Sequence, residues 1–293
     1  MQKDQKKKEK GQAFGSLKAI LLGVALLSCV LLFGISTSAA SSGVGADVNV
    51  TLNGRAILED EAVIINSVTY VPVRSFSEEM GADSVSWNSS TRSATVKKGS
   101  TTVTLTEGKS YISANGRYFY TVEKILNIGG KLYVPVRPMC EAFCVSVEWN
   151  GGTRTVELTT SGRALVRGAD FYVEDEVYWL ARIISAEAAG EPLKGKIAVG
   201  NVVLNRVRSS SYPNTIYGVI FDRKHGTQFS PVSMGTIYNT PTAESVIAAK
   251  ICLEGYSISD RILFFMNPRI ATSNWISKNR PFAFRIGNHD FYY

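Results

Sequence analysis

The spacing of apolar residues divides the chain into a strand-rich first half and a helix-rich second half. Between about residues 48 and 160, apolar and polar residues alternate in short runs separated by Gly, Asn and Asp, which is typical of strands joined by turns. Beyond residue 176, apolar residues recur every three or four positions, which indicates amphipathic helices. We predict helices over Val177–Ala189, Lys196–Arg208, Thr215–Phe221 and from Thr240 (an N-cap followed by Pro241) to Gly255, and strands over Ile262–Phe265 and Phe282–Ile286. The pattern predicts an α+β fold.

The first half contains one motif twice. Tyr70–Arg74 (YVPVR) recurs unchanged 63 positions later as Tyr133–Arg137, and a Trp-Asn pair follows each copy, at Trp87 and Trp149. A period of this length indicates a duplicated supersecondary unit rather than a solenoid. Because Pro removes a ladder donor, each motif is expected at a sheet edge or a sheet end. Within the units, short helices are predicted over Arg74–Met80 and Pro138–Phe143.

The first 40 residues are organised like a secretory signal. A segment rich in Lys precedes the uncharged apolar run Ala19–Ile35, and small residues follow at Ser36–Ala40. We predict a signal peptide over residues 1–40, cleaved near Ala39 or Ala40. An uncleaved membrane anchor is the alternative, since the apolar run is at the short end of what spans a bilayer.

Charge, histidine and cysteine content exclude several classes of function. The net charge is +7, but residues 1–40 carry +4 of it, so no basic surface for nucleic acid is expected. His225 and His289 are the only histidines, which is too few for a typical zinc enzyme, and we predict no metal and no cofactor. Three cysteines lie beyond the signal. Cys140 and Cys144 could pair or bind a metal, but two small buried side chains fit better, and Cys252 is predicted to lie in a core.

One acidic residue lies on the apolar face of a predicted helix. At about 100° per residue, Leu180, Ile183 and Ile184 share a face of Val177–Ala189. Glu187 falls in the middle of that face. Burial and the carbonyl dipoles of the last turn both disfavour a carboxylate there. We expect the group to hold its proton toward neutral pH, as a general acid for glycosidic cleavage must. A core Glu satisfied by a buried Arg or a backbone amide is the alternative.

The duplicated motif carries a resemblance to a known module. With its YVPVR segments and Trp-Asn pairs, the region from about Val48 to Thr160 resembles the copper amine oxidase N-terminal-like domain of secreted bacterial proteins. The region contains no His, so copper is not expected. The resemblance implies a role in contacting the cell wall or in spacing.

The second half contains a series of short motifs in a fixed order: Ile184–Pro192 (ISAEAAGEP), Leu204–Val207 (LNRV), Tyr212–Thr215 (YPNT), Gln228–Ser230 (QFS), Phe264–Pro268 (FFMNP) and Ile286–His289 (IGNH). With these motifs it resembles the SleB-type spore cortex-lytic and cell-wall hydrolase family. The resemblance covers about Tyr178 to the C-terminus and implies a lysozyme-like, mainly α catalytic domain that acts on peptidoglycan glycan strands. Within the A-E-x-x-G-E motif it assigns the catalytic acid to Glu187.

The resemblance implies lytic transglycosylase-type cleavage at N-acetylmuramic acid, with Glu187 as general acid and base, in a setting such as cortex lysis during spore germination. This chemistry needs a single carboxyl group, because the C6 hydroxyl of the muramyl ring replaces an activated water. A hydrolytic muramidase would need a second carboxylate, for which Glu191, Asp222 and Asp290 are candidates. The polar segment Asp222–Gly235 is predicted to be a binding loop. Candidate substrate-binding residues, each with a structural role as the alternative, are Glu191, Gln228, Phe229, Ser230, Asn267, Trp275, His289 and Tyr292.

These inferences predict a secreted enzyme of the cell wall or spore, whose partner is the peptidoglycan glycan strand. It would contact a membrane only through an uncleaved N-terminal segment, and a regulatory protein partner is left open. An N-acetylmuramoyl-L-alanine amidase, which two histidines make hard to build, and a non-catalytic wall-binding protein are the alternatives. The predicted order is a signal (1–40), the duplicated module (41–160), a linker (161–175) and the cell-wall hydrolase domain (176–293).

Overall fold

The computed structural model describes residues 46–293, with the exception of His225 and Thr227. The predicted signal at residues 1–40 therefore lies outside the described residues. Within the described part of the chain, no helix is both long enough and apolar enough to cross a membrane. The described chain has a β-rich first half and a mainly helical second half, as expected for the predicted α+β fold.

The first half consists of two copies of one strand-and-helix unit, joined by the strand β8 (Thr101–Thr106). In each copy a helix follows directly on the YVPVR strand, one or two residues earlier than predicted. The first copy comprises β1 (Ala46–Asp47), β2 (Asn49–Leu52), β3 (Arg55–Ile57), β4 (Val63–Ile65), β5 (Val68–Pro72), α1 (Val73–Glu79), β6 (Ser84–Asn88) and β7 (Ser93–Lys98). The second comprises β9 (Tyr111–Ala114), β10 (Arg117–Tyr120), β11 (Leu126–Ile128), β12 (Lys131–Pro135), α2 (Val136–Ala142), β13 (Val145–Asn150) and β14 (Thr155–Thr160).

The two copies meet in a central sheet of order β1-β4-β5-β12-β11. There the two YVPVR strands pair antiparallel, with Val71 opposite Val134. Both are inner strands, so the prediction of an edge strand is wrong. Pro72 and Pro135 instead end their strands and precede helices, where a missing N–H is tolerated.

Two outer sheets complete the first half, and they are built differently. One has the order β10-β9-β8-β7-β6, with β8 inserted between the two copies. The other has the order β13-β14-β2-β3, in which the last strand of the second copy pairs directly, and parallel, with the first long strand of the first copy. Apolar side chains from all three sheets and both helices form one core, with Phe76 and Met139 fully buried.

The second half packs helices around α5 and adds a small three-stranded sheet of order β15-β17-β16. The helices are α3 (Gly168–Phe171), α4 (Glu174–Ala188), α5 (Leu193–Arg208), α6 (Ile216–Phe221), α7 (Ser230–Met234), α8 (Ala243–Leu253) and α9 (Trp275–Asn279), with a 3-10 turn at Thr236–Tyr238. The strands are β15 (Phe264–Met266), β16 (Phe282–Ile286) and β17 (His289–Tyr292).

Two local predictions for this half need correction, and one strand was missed. The helix predicted to start at Thr240 starts at Ala243, because Thr242 is the N-cap and accepts a hydrogen bond from the Ser245 N–H. The predicted loop Asp222–Gly235 contains the short helix α7. The strand β17 was not predicted, because all four of its residues are buried and it shows no alternation of apolar and polar positions.

The helices of the second half approach one another closely at Gly200. A Cβ at this position would lie 2.7 Å from Cys252 Sγ and 2.9 Å from Ile184 Cδ1, so only Gly lets α5 lie against both α4 and α8. Cys252 is buried in this core, as predicted. All three cysteines within the described residues are free, and Cys140 is buried while Cys144 is half-buried.

The segment predicted as a linker is packed against both halves. Leu165 is buried in the core of the first half, and the Gly168 N–H donates to the Asn115 carbonyl at 2.8 Å. On the other side, the Tyr172 hydroxyl donates to Glu254, which also forms a salt bridge with Arg117 of β10. The domain limits themselves stay a prediction.

Candidate active site

A groove of about 920 Å³ opens at the C-terminal end of α4. The last two turns of α4 and the α4–α5 turn form one wall. The opposite side is formed by α7 with the 3-10 turn, and by β15 with the segment that follows it. The groove lies in the second half of the chain, where the sequence predicts the catalytic residue.

Glu187 lines this groove from the last turn of α4. Its side chain is half-buried, and no group among the described residues donates a hydrogen bond to it or forms a salt bridge with it. Burial raises the pKa of its carboxyl group to about 7, against a smaller opposing effect of the Arg206 charge. At neutral pH the protonated and the ionised form of Glu187 are therefore both populated.

Arg206 is a buried cation on α5 behind the groove. Its Nε donates to the Leu263 carbonyl at 2.8 Å, and its guanidinium lies against the rings of Tyr212 and Phe229. Burial lowers its pKa, while the neighbouring acidic groups, Glu187 among them, oppose that shift. Arg206 thus acts on Glu187 through space and does not clamp it, which differs from the alternative of a Glu satisfied by a buried Arg.

Glu191 also lines the groove, but in a different environment. It is only 8% exposed, and its carboxylate accepts two hydrogen bonds from Asn288, at 2.9 Å from the backbone N–H and 3.0 Å from Nδ2. Burial alone would raise its pKa, but these two donors and the nearby charges lower it. Gly287 makes the contact possible: its φ is +58°, and a Cβ there would overlap the carboxylate. Glu191 is therefore ionised and fixed.

His289 reaches the groove from the first position of β17. It is 5% exposed and lies edge-on to the Phe265 ring, and its Nδ1 has no hydrogen-bond partner among the described residues. Burial lowers its pKa, although Glu191 and Asp290 oppose the shift. The imidazole is thus neutral at neutral pH.

The structure separates the eight predicted substrate-binding residues into two sets. Glu191, Ser230, Asn267 and His289 line the groove together with Glu187, whereas Gln228, Phe229, Trp275 and Tyr292 do not.

Each residue outside the groove has a structural environment of its own. Phe229 is buried in the core against Phe265, and Tyr292 is buried in the small sheet against Phe282. The Trp275 ring is half-exposed and lies beside Arg280 and the Phe264 ring. Gln228 bonds back to the Gly226 carbonyl within its own loop. For the rings of Phe229 and Tyr292, burial against apolar neighbours is more favourable than exposure in an open groove.

Several groove residues were not predicted. Arg182 lies one turn and a half before Glu187 and stacks on the Tyr178 ring at 3.8 Å, and Ser185 accepts a hydrogen bond from the Thr242 N–H. Thr236, Asn239 and Thr240 contribute further polar groups. The signal for Arg182 and Ser185 was present, because the periodicity puts both on the polar face of α4. The groove runs along the border between that face and the apolar one.

No group of three or more His, Cys, Asp and Glu side chains that could hold a metal ion comes together in the part of the chain that the structure describes. The polar groups of the groove are suited instead to hydrogen bonds with a neutral ligand around one titratable acid.

Each half of the chain matches a known family model. Residues 190–292 match the family model described as Cell Wall Hydrolase, and residues 51–165 match the Copper amine oxidase N-terminal domain. The cell wall hydrolase CwlJ of Oceanobacillus iheyensis is 30% identical over 109 residues, which are 35% of this chain and 76% of that protein. The chain belongs to the cell wall hydrolase family, and both resemblances inferred from the sequence are confirmed.

Two relatives are more similar. The spore cortex-lytic enzyme of Bacillus cereus is 38% identical over 120 residues, which are 41% of this chain and 45% of that enzyme. The catalytic domain of the germination-specific lytic transglycosylase SleB from Bacillus anthracis is 36% identical and covers 44% of this chain and 100% of that domain, with a TM-score of 0.38. The chain thus spans less than half the length of the Bacillus cereus enzyme that it matches. Glu187 precedes the first residue of the family-model match by three positions.

Proposed function

We propose that this protein degrades peptidoglycan by cleaving its glycan strand, with Glu187 as the catalytic acid. The observation that carries the proposal is the state of Glu187: a carboxyl group with its pKa raised to about 7, in a polar groove and without a partner among the described residues. A group of this kind holds a proton at neutral pH and can release it to a substrate.

The relatives support this choice of substrate. One is named a spore cortex-lytic enzyme, and another is described as a germination-specific lytic transglycosylase. We extend both descriptions to this chain as part of the proposal: the substrate is peptidoglycan, and cortex lysis during germination is the proposed setting. Export by residues 1–40 would bring the enzyme to the wall or spore.

The proposed reaction is a lytic transglycosylation at N-acetylmuramic acid. The Glu187 carboxyl group protonates the glycosidic oxygen as its bond to C1 of the muramyl ring breaks. The resulting carboxylate then removes the proton from the C6 hydroxyl of the same ring, whose oxygen attacks C1 and closes a 1,6-anhydro bridge. Glu187 ends protonated, as it began. Because the C6 hydroxyl is tethered to the reacting ring, no activated water is required.

The three candidates for a second carboxylate differ in their surroundings. Asp290 is held in a salt bridge by Arg285, and neither it nor Asp222 lines the groove. Glu191 does line it, but Asn288 occupies its carboxylate with two hydrogen bonds. These surroundings favour a mechanism with one carboxyl group over the hydrolysis that two would perform.

The experiment that tests the proposal is mass spectrometry of digested peptidoglycan. Transglycosylation predicts anhydro-muramyl ends, lighter by one water than the products of a muramidase. New reducing ends would mean hydrolysis, and freed stem peptides would mean the amidase alternative. An absence of products under conditions where the folded protein binds the wall would mean a non-catalytic binding protein. The Glu187→Gln variant is the control for background activity.

A further inference from the structure

The duplicated motif builds two grooves of the same design, one in each copy. The first-copy groove lies between Pro72–Ser75, Trp87 and the start of the partner strand at Gly130–Leu132. The second-copy groove lies between Pro135–Pro138, Trp149 and the start of the other partner strand at Ser67–Thr69. Each groove therefore combines the end of its own YVPVR segment, its own Trp strand and the opposite copy. The pairing of β5 with β12 is what creates the two sites.

In both grooves the indole faces solvent. Trp87 is 45% exposed and Trp149 is 47% exposed, and they occupy equivalent positions on the edge strands β6 and β13. Either exposed ring alone would be unremarkable. Their equivalent placement beside a cavity gives each groove a flat apolar face with a polar N–H at its rim, which is the kind of surface that a sugar ring can stack on.

The second-copy groove is the larger one, at about 600 Å³ against about 180 Å³. Its depth comes from the contact between the two halves of the molecule: Tyr120 and Tyr256 extend its wall, with ring centroids 4.6 Å apart. Tyr256 follows α8 of the second half. This groove is therefore complete only when the duplicated module and the helical half are docked.

The two grooves also differ in the state of their Arg side chain. In the first copy, Arg74 donates to the Val85 carbonyl at 3.2 Å and lies 3.7 Å from Glu78 in an i,i+4 ion pair. In the second copy, Arg137 is exposed and has no hydrogen-bond or salt-bridge partner among the described residues, although Glu141 occupies the matching position. The guanidinium of the second-copy groove is thus free to bind a ligand.

We propose that the second-copy groove binds an amino-sugar glycan strand, the polymer on which the proposed function acts. The groove offers one stacking face (Trp149), a free set of donors (Arg137) and two carboxyl groups (Glu141 and Glu148). Burial raises the pKa of the Glu141 carboxyl group to about 7, so near neutral pH this group both donates and accepts hydrogen bonds. Its lining contains one cationic side chain and two acidic ones, which suits the hydroxyl and N-acetyl groups of a neutral sugar and does not favour a polyanion. The identity of the polymer rests on the proposed function, whereas the existence of a binding site is argued from the residues that line the groove.

The test measures retention of the full chain on glycan strands from which the stem peptides have been removed. In the Glu187→Gln background, which leaves the strands intact, Trp149→Ala should weaken retention about tenfold, as truncation of an aromatic anchor does. Trp149→Phe should restore part of it. Trp87→Ala is the matched control, because it removes the equivalent ring from the smaller groove and should leave retention within about twofold. Thermal unfolding of each variant shows that the fold is kept.

Two results would overturn the proposal. One is unchanged retention of the folded Trp149→Ala variant. The other is retention of intact peptidoglycan without retention of the bare strands, which would mean that the groove recognises peptide. The outcome is separable from that of the proposed function, because the parent chain with Glu187 intact is assayed on its own for products released from short soluble glycans. Loss of those products in the parent chain itself would count against the proposed chemistry and not against the groove.

Discussion

The end of α4 and the turn that follows it place two carboxyl groups on one wall of the groove, and their surroundings give them opposite proton affinities. Glu187 is half-buried, and Glu191 is 8% exposed. Glu187 meets no donor among the described residues, so burial raises its pKa to about 7. Glu191 meets the two N–H donors of Asn288, and its pKa is lowered. Burial by itself therefore does not decide the state of an acid, and the hydrogen-bond donors around it do.

Replacing Glu187 should give the largest effect. Glu187→Gln keeps the shape of the side chain but removes the transferable proton, so we expect cleavage to fall by about 10²–10⁴-fold or below detection. The measurement is release of products from purified peptidoglycan. Glu176→Gln is the matched control, because Glu176 is an exposed acid at the start of the same helix and should leave the rate unchanged. A fully active Glu187→Gln variant would contradict the assignment.

The same variant should be more stable than the parent chain at neutral pH. Between pH 4.5 and about 7 the unfolded chain has an ionised Glu187 while the folded chain keeps it protonated, so the stability of the parent falls as the pH rises through this window. Gln removes that dependence, and the gain in free energy of unfolding above pH 7 should be at most about 3 kcal/mol. Denaturant unfolding at pH 4 and pH 8 checks the sign: the two proteins should converge at pH 4. Lost activity combined with gained stability is not what a structural residue would give.

Substitution of Gly287 should have the largest effect on the other carboxyl group. Gly287→Ala adds a Cβ where the Glu191 carboxylate lies and forces an L residue into positive φ, so we expect a loss of roughly 2–4 kcal/mol. Gly129→Ala is the matched control: Gly129 has the same φ of +58° with no atom within 4 Å of its Cβ, so only the backbone cost of about 1 kcal/mol should appear. Equal losses in the two variants would mean that Glu191 moves aside freely.

Glu191→Gln tests whether the second carboxylate takes part in the chemistry. The amide offers a single oxygen and turns an NH₂ group toward the Asn288 donors, so we expect a loss of about 1–3 kcal/mol in stability. The rate of cleavage should stay within about tenfold of the parent at a temperature where the variant is folded. A folded variant as inactive as Glu187→Gln would instead make Glu191 a partner in hydrolysis.

The smallest expected effect is a shift of the pH profile by Arg206. Cleavage should decline as the pH rises through about 7, because Glu187 then loses the proton that it must donate. The positive charge of Arg206 lowers the pKa of Glu187, so Arg206→Met should move this decline to higher pH. Arg208→Met is the control, since Arg208 is exposed on the same helix. A shift to lower pH in Arg206→Met would contradict the electrostatic account.

The sequence predicted those features that depend on local pattern. The YVPVR repeat identified the duplication, and the periodicity of α4 put Glu187 among Leu180, Ile183 and Ile184, all of which are buried. The prediction took Thr240 before Pro241 as the N-cap, although Thr242 after it is of the same type, and only the hydrogen bond that Thr242 accepts identifies the true cap. In that case two local signals were equally good.

Other errors came from tertiary contacts. Phe229 and Tyr292 are the kinds of residue that bind sugars and also the kinds that fill cores, and packing against Phe265 and Phe282 decides for the core. The hydrogen bonds that fix Glu191 come from Asn288, 97 positions away, so no window of sequence contains both. The sequence did not predict the first-copy and second-copy grooves either, because each groove needs one wall from the opposite copy.

The parallel pairing of β2 with β14 ties residues 49–52 to residues 155–158. A gene with one 62-residue unit deleted would therefore not encode half a module. It would encode a chain in which an inner strand has lost its neighbour, with unpaired amides open to aggregation. The duplication, once fixed in this form, cannot be undone by simple excision, and proteins carrying this module should gain or lose it whole.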